Sequence, residues 1–265
     1  MAPQLPGRAW QDGLTDEELM MQPNLPFSMG RLHRRSEALR LRLALDLVAD
    51  KQYRTAERRV GEWLDGPSSP QSRATYLLML AAAQRAQGHE EQAAENMERA
   101  LVLRPGDVSL SNDLSYTWID RGIRLDDAEP LIRYAVGRFP LQAAYLDTYG
   151  WLLYKKGAFA EAAAWLGRAN RARAGEDPVI LDHLGDTFWR LSKREQAIAH
   201  WNRAVDVVSE KSDEELANDD ERRVRSQAPA KIEKARSNHE PPVAPLKAPT
   251  RKRKQQGKGK LMEEA

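Results

Sequence analysis

The histidines of this chain, which are candidate metal ligands, are scattered along the sequence. A three-residue step places His183 and Asp186 on one side of a predicted helix, close to Asp182, where two or three of these groups could contact one metal ion. A metal site needs further ligands, and a helix-surface histidine beside carboxylates is more often structural. His-Glu-x-x-His spacing is absent among the five histidines, which are His33, His89, His183, His200 and His239. We therefore expect no metal and no cofactor.

Two common signatures of covalent catalysis, a cysteine nucleophile and a nucleophile elbow, are also missing. The chain has no cysteine, which excludes disulfides, thiolate metal sites, cysteine nucleophiles and a lipidated N-terminal cysteine. No Gly-x-Ser-x-Gly turn occurs, and the glycine-lysine stretch at 257–260 follows no strand, as a phosphate-binding loop would. The sequence therefore predicts that the protein is not an enzyme.

A pattern of about 34 residues recurs five times and predicts the elements that position the remaining side chains. The copies start at Glu37, Ala74, Val108, Ala143 and Pro178. In the first helix of each copy a large residue precedes a small one: Leu43-Ala44, Leu80-Ala81, Leu114-Ser115, Tyr149-Gly150 and Leu184-Gly185. The second helices carry alanines that we expect to face these small residues: Ala56, Ala93, Ala128, Ala162 and Ala197. Two such helices cannot bury their apolar faces alone, so neighbouring copies must stack.

The predicted turns support this division into helix pairs. Gly88, Gly122 and Gly157 lie between the two helices of their copies, where a left-handed backbone is commonly required. The third copy needs one inserted residue near Arg124 to keep its register.

Residues 37–209 resemble tetratricopeptide repeats, most clearly in the stretches Leu146–Tyr154 and Leu181–Trp189. The closing run is also similar to the C-terminal part of larger bacterial tetratricopeptide proteins. The resemblance implies an all-α, right-handed superhelical solenoid of about five helix hairpins that binds other proteins. The first copy departs from the pattern at Arg40 and Trp63, as a capping copy would.

Four regions are predicted along the chain. Residues 1–36 form a partly disordered arm, 37–210 the solenoid, 211–236 capping helices and 237–265 a disordered basic tail. The net charge is +2, yet residues 221–265 contain 13 Lys and Arg against 5 Asp and Glu, which leaves −6 on the first 220 residues. An acidic solenoid with a basic tail recruits two different partners or folds its tail back on itself.

The tail offers an alternative function. Its cations are Arg251, Lys252, Arg253, Lys254, Lys258 and Lys260. They would attract the phosphates of nucleic acid or an anionic membrane surface, although no interleaved aromatic residue supports base stacking, and a solubilising terminus explains them equally well. The sequence shows no signal peptide and no bilayer-spanning run, so we expect a cytoplasmic protein. The oligomeric state stays open.

The main candidate site is the concave side that the first helices line in this architecture. Its side chains form four columns: Asn112, Asp147 and Asp182; Tyr116, Trp151 and Asp186; Ile119, Tyr154 and Trp189; Asp120, Lys155 and Arg190. Aromatic rings give rigid contact area and carboxylates select charge, so the predicted ligand is a peptide with basic and apolar side chains. Lys155 and Arg190 could also anchor one anionic group. Alternatively, the carboxylates bond neighbouring helices and the aromatic residues pack between copies.

Overall fold

A computed structural model describes residues 29–173, 176–216 and 219–246, with side chains from Ser36 onward. Regular structure in this part of the chain is entirely α-helical, which confirms the predicted all-α repeat fold. The helices are α1 (Met29–Ala49), α2 (Tyr53–Asp65), α3 (Pro70–Ala86), α4 (Glu90–Leu103), α5 (Val108–Asp120), α6 (Leu125–Arg138), α7 (Ala143–Lys155), α8 (Phe159–Ala172), α9 (Pro178–Arg190), α10 (Arg194–Ser209) and α11 (Asp219–Arg236).

The helices fall into two compact units, residues 1–104 and 105–265. We call their described parts the N-terminal block and the C-terminal block. The N-terminal block contains the hairpins α1–α2 and α3–α4. The C-terminal block contains α5–α6, α7–α8 and α9–α10, followed by α11.

Three first helices begin at the predicted residues, and two begin earlier. Helices α5, α7 and α9 start at the predicted positions, whereas α3 starts at Pro70 and α1 at Met29. The early start of α3 has a local cause, because the Ser69 hydroxyl accepts a hydrogen bond from the Ser72 amide at 3.2 Å and Pro70 occupies the first helical position. The last eight residues of the predicted arm therefore belong to α1, and its other residues lie outside the described part.

The turns within the hairpins match the prediction from the glycines. Gly88, Gly122 and Gly157 have φ values of 79°, 66° and 82°. Lys51 and Ser192 take the corresponding place in the first and last hairpins, with φ of 59° and 60°. The inserted residue of the third copy is found between α5 and α6, where Arg124 also adopts a left-handed backbone with φ of 48°.

The helix crossings differ from the expected contact between two small residues. A Cβ atom added at Gly150 would lie 2.8 Å from Cγ of Leu166, and one added at Gly185 would lie 2.3 Å from Cδ1 of Trp201. Each glycine therefore contacts a bulky side chain of the second helix. This side chain lies four residues after the fully buried alanine of the same helix. The expectation that this alanine faces the small residue was wrong, because a close crossing leaves room for a large residue only where the opposite side chain is missing.

Helix α11 closes the last hairpin of the C-terminal block. Its apolar face joins two clusters, one formed by Leu181, Ala204, Val208, Leu216, Val224 and Ala228, the other by Ala197, Trp201, Ile232 and Ala235. Residues 240–246 continue from it without helix, with Pro241 buried. This arrangement differs from the prediction of a disordered tail from Ser237 onward, since the stretch up to Leu246 is held by specific contacts. The six tail cations lie outside the described residues.

Candidate functional site

The four predicted columns lie on α5, α7 and α9, and we call their surface the first-helix face. Seven of its side chains are buried, namely Asn112, Ile119, Asp147, Trp151, Tyr154, Lys155 and Asp186. The other five, Tyr116, Asp120, Asp182, Trp189 and Arg190, are half-buried. Basic side chains of α11 and the stretch 240–246 contact this face, so in this conformation it is largely covered by the chain's own C-terminal part.

A lysine of α11 occupies the place where a metal ion was considered. Nζ of Lys231 lies 2.8 Å from both carboxylate oxygens of Asp182 and 2.7 Å from Oδ1 of Asp186. Asp186 Oδ1 also accepts a hydrogen bond from Nε1 of Trp201 at 3.1 Å. Two carboxylates thus share one buried ammonium, and the third candidate ligand, His183, faces a different carboxylate.

Burial and charge compete at this cluster. Burial lowers the pKa of Lys231, but the attraction of Asp182 and Asp186 outweighs it, so the pKa is raised and the ammonium stays charged. The pKa of Asp186 is raised by its burial and by the neighbouring Asp182 carboxylate, despite the opposing effect of Lys231. Two carboxylates of the face thus bind a cation that the same chain supplies.

An arginine of α11 neutralises the next carboxylate. Asp120 Oδ2 lies 2.7 Å from Arg223, and Oδ1 accepts a hydrogen bond from Nε1 of Trp151 at 3.2 Å. Burial acts to raise the pKa of Asp120, but the Arg223 guanidinium outweighs it and the pKa is lowered. Arg223 also pairs with Asp220 of its own helix at 3.0 Å.

Three donors of the face converge on two consecutive main-chain carbonyls. The Tyr154 hydroxyl donates to the carbonyl oxygen of Ala244 at 2.6 Å, and Arg190 donates to the same oxygen at 3.3 Å. Lys155 donates to the carbonyl oxygen of Pro245 at 3.1 Å. Lys155 and Arg190 were predicted to anchor an anionic group, and in the structure they bind these neutral carbonyls.

Two further contacts hold the stretch 240–246. The Ala244 amide donates to Oδ2 of Asp186 at 2.7 Å, and Nε1 of Trp189 donates to Oε1 of Glu240 at 3.2 Å. Four of the five hydrogen bonds to this stretch therefore involve its main chain. Contacts of this kind tolerate changes of side chain, because every residue except proline has the same donor and acceptor.

The centre of the face is a stack of three rings. Trp151 lies between Tyr154, with ring centroids 4.4 Å apart, and His183, with centroids 3.8 Å apart. Nδ1 of His183 lies 3.0 Å from Oδ1 of Asp147. Burial lowers the pKa of His183, but the Asp147 carboxylate outweighs it and the pKa is raised. Asp147 and Trp151 thus bond and pack between neighbouring hairpins, whereas Tyr154 also contacts the stretch 240–246.

Of the three remaining column residues, all on α5, Ile119 is buried, and Asn112 and Tyr116 have polar side chains. Nδ2 of Asn112 donates to the adjacent Asp113 side chain at 3.2 Å. The pKa of Tyr116 is raised well above its ordinary value by burial and then by the carboxylates of Asp220 and Asp120. Neither side chain contacts the stretch 240–246 through a hydrogen bond in the described part of the chain.

Comparison with known proteins identifies the repeat. A family model described as "Tetratricopeptide repeat" matches residues 24–129, and the described hairpins 105–209 continue the same architecture. The chain therefore contains tetratricopeptide repeats within residues 24–129. It is 30% identical over 95 residues to a TPR repeat-containing protein of Pseudomonas aeruginosa, an alignment that spans 36% of this chain and only 16% of that relative. The similarity to larger bacterial proteins of this type is thus confirmed, and the match leaves most of the relative's length uncovered.

Solved structures of tetratricopeptide repeat proteins share the fold of this chain. MamA from Desulfovibrio magneticus aligns with a TM-score of 0.55 and 16% identity, over 66% of this chain and 97% of that one. A thermophilic TPR protein of Thermus thermophilus aligns with a TM-score of 0.51 and 22% identity, over 72% and 97%. At these identities the likeness concerns the fold.

Two kinds of feature are absent from the described part of the chain. Residues 29–173, 176–216 and 219–246 contain no group of three or more His, Asp or Glu side chains placed to hold a metal ion. Within the same ranges, none of the helices combines the length and the apolar character that crossing a bilayer requires.

Sequence reasoning missed the residues that cover the face. Arg223, Lys231, Ala244 and Pro245 belong to segments that were predicted only as a cap and a tail. The available signal was the charge asymmetry, since the basic C-terminal segment and the acidic remainder already indicated that the tail could fold back. Repeat spacing carries no information about a segment outside the repeats.

Proposed function

We propose that the C-terminal block is a non-catalytic protein-interaction scaffold whose first-helix face binds an extended segment of a partner protein. The observation that supports the proposal most directly is the stretch 240–246, which lies on this face as a peptide ligand would. A face that binds one extended segment through its main chain has the donors and the acceptor to bind another.

The proposed site is smaller than the predicted columns. Its members are Tyr154, Lys155, Asp186, Trp189 and Arg190, the five residues that hydrogen-bond to the stretch 240–246. The acidic columns contribute indirectly, because their carboxylates are already paired with Lys231 and Arg223. Basic side chains of the chain's own helix α11 therefore already occupy these carboxylates. A partner would be recognised through its extended main chain.

The chemistry of the five residues fits a scaffold. The Asp186 carboxylate accepts from an amide, and the Tyr154 phenol and the two cations donate to two carbonyls. The Trp189 indole donates to a carboxylate. These are hydrogen bonds that hold a ligand and involve no covalent chemistry. The Tyr154 ring is fixed by stacking on Trp151, which lowers the entropy lost on binding. Phosphate binding by the tail at 251–260 stays a separate prediction.

A peptide titration tests the proposal in the full-length chain. The variant Ala244→Pro removes the amide that donates to Asp186, which weakens the chain's own segment and opens the face. A labelled peptide with the sequence of residues 238–246, amidated at its C terminus, should bind this variant saturably in fluorescence anisotropy. Adding Tyr154→Phe keeps the ring but deletes the donor to the carbonyl of residue 244, so the dissociation constant should rise several-fold, up to about tenfold.

The matched control is Tyr134→Phe, which removes a hydroxyl from a half-exposed tyrosine of α6 that donates to the Gly106 carbonyl at 3.3 Å. This change should leave the peptide affinity as it was. An absence of saturable binding, or equal effects of the two phenylalanine substitutions, would show that the first-helix face is not the peptide site.

A further inference from the structure

The covering of the first-helix face is built from two parts with different attachments. Helix α11 buries apolar side chains in both closing clusters, including Val224, Ala228 and Ile232. In the stretch 240–246, Pro241 is buried and the partly buried Val243 packs against the second cluster, and the other contacts described above are hydrogen bonds. Removing α11 would expose the two apolar clusters to water. Removing 240–246 would mainly replace its hydrogen bonds to the first-helix face by hydrogen bonds to water or to another segment.

We propose that residues 240–246 are an intramolecular competitor for the partner site, and that the partner presents an extended, proline-flanked segment of the same kind. This inference rests on the function proposed above and adds its regulation and its ligand class. Partner binding then requires the stretch to leave the face while α11 stays in place.

The attachment of the stretch supports displacement. Its hydrogen bonds come from side chains of the face to one amide and two carbonyls, which a second extended segment can supply in the same places. Trp189 and Arg190 also line a surface cleft of about 390 Å³ together with Ser192, Arg194 and Glu240. The site therefore has open space at the edge from which an incoming segment can begin to replace the resident one.

The composition of the stretch indicates the partner's chemistry. Pro241, Pro242 and Pro245 fix their own φ angles, and the residues before Pro242 and Pro245 are driven toward extended backbone. Such a segment loses little conformational entropy on binding. The residue at the Ala244 position can be small, because its amide and carbonyl form the hydrogen bonds to the face and its side chain forms none. A partner with a small residue directly before a proline in an extended segment meets these requirements.

Tethering explains why the resident segment dominates in the isolated chain. Residues 237–239 connect the end of α11 to the stretch, and a linker this short gives a local concentration on the order of millimolar. A free peptide at micromolar concentration meets a face that is open only for a fraction of the time, and its apparent affinity falls by that fraction.

The test compares three full-length chains with the amidated 238–246 peptide. Ala244→Pro removes the resident amide, and Ala244→Ser keeps it with a side chain of similar size. Loss of a hydrogen bond to a carboxylate corresponds to about a tenfold to hundredfold loss of resident occupancy. We expect the peptide to bind Ala244→Pro at least about tenfold more tightly than wild type, and Ala244→Ser within about twofold of wild type.

Each other outcome has one meaning. Equal, saturable binding to all three chains would overturn the competitor role and leave the proposed function standing. No binding to any chain would overturn both. A control peptide with proline at the position of Ala244 should bind none of them, because it lacks the amide that Asp186 accepts.

A second variant guards against misfolding of Ala244→Pro, which circular dichroism and thermal melting would detect. Glu240→Ala removes the side chain that accepts from Trp189 and leaves the closing clusters untouched. It should increase peptide affinity about threefold, in line with one ordinary hydrogen bond. Hydrogen exchange should show faster exchange at the Ala244 amide of this variant and unchanged protection in α11, and equal protection of both would contradict separate attachment.

Discussion

The same repeat positions carry different side chains in the two blocks. Directly after the small residue the N-terminal block has Leu45 and Ala82, whereas the C-terminal block has Tyr116, Trp151 and Asp186; three residues before it, Leu41 and Leu78 correspond to Asn112, Asp147 and Asp182. Leu45 is 49% exposed and Trp151 is 1% exposed. The repeat thus specifies the position of a side chain on the first helix. The type of side chain at that position depends on the segment that packs against it.

The residues at the helix crossings within the hairpins also differ from one hairpin to the next. The small residues of the first helices and the core residues at the corresponding second-helix position are Ala44 and Val60, Ala81 and Met97, Ser115 and Ile132, Gly150 and Leu166, and Gly185 and Trp201. The two glycines thus occur opposite leucine and the large indole of tryptophan. In the last two pairs the close approach is explicit in the structure. At these two crossings of the C-terminal block, the absence of a Cβ atom makes room for the large side chain of the second helix.

The largest expected difference between the blocks follows from Trp151→Ala. The indole is buried in the ring stack and donates to Asp120, so its removal should lower the free energy of unfolding by about 3–5 kcal/mol. Leu45→Ala, at the matched position of the N-terminal block, should change it by about 0.5 kcal/mol or less. Urea denaturation followed by circular dichroism measures both, and similar effects would refute the view that cover distinguishes the two faces.

A smaller effect is expected at the helix crossings. Gly185→Ala places a methyl group against Trp201 and should cost about 1–3 kcal/mol of unfolding free energy through overpacking; the larger change Gly150→Leu should cost at least as much. A Cβ atom added at Gly137 of α6 would have no neighbouring atom within 4 Å, so Gly137→Ala should be neutral or stabilise by up to about 1 kcal/mol. Thermal melting distinguishes them, and equal melting temperatures would contradict the assigned crossing.

The repeat spacing predicted these crossings only in part. It located the small residues and the turn glycines, because spacing along a helix determines which side chains share a face. It assigned the wrong partner to Gly150 and Gly185, since the angle and offset of two helices depend on all the side chains between them. It also could not place Lys231 or Ala244 on the face, because contacts of the repeats with a segment outside them leave no periodic trace.

The smallest of the three effects concerns pH and is limited to the C-terminal block. The pKa of His183 is raised in the folded chain, with burial opposing and Asp147 outweighing it, and with Asp182 and Arg223 as the other charged groups in range. A raised folded pKa contributes stability that is fully present below the unfolded value of about 6.5 and is lost as pH rises through the folded pKa.

We therefore expect the urea midpoint of the wild type to fall as the pH increases above about 6.5. Asp147→Asn removes the carboxylate that outweighs burial, so the midpoint of this variant should show a flatter dependence over the same range. His89→Gln, in the N-terminal block, is the control and should retain the wild-type slope. A slope that Asp147→Asn leaves unaltered would assign the pH dependence to other groups.

The shared ammonium of Lys231 has a consequence for the order in which the molecule is made. A ribosome releases α9, with Asp182 and Asp186, well before it releases the cation that both carboxylates bind, which follows Asp186 by 45 positions. Until then the nascent last hairpin has two acidic groups with no counter-charge from α11, and it has to keep them in water. The C-terminal block can therefore form these contacts only after helix α11 has emerged from the ribosome.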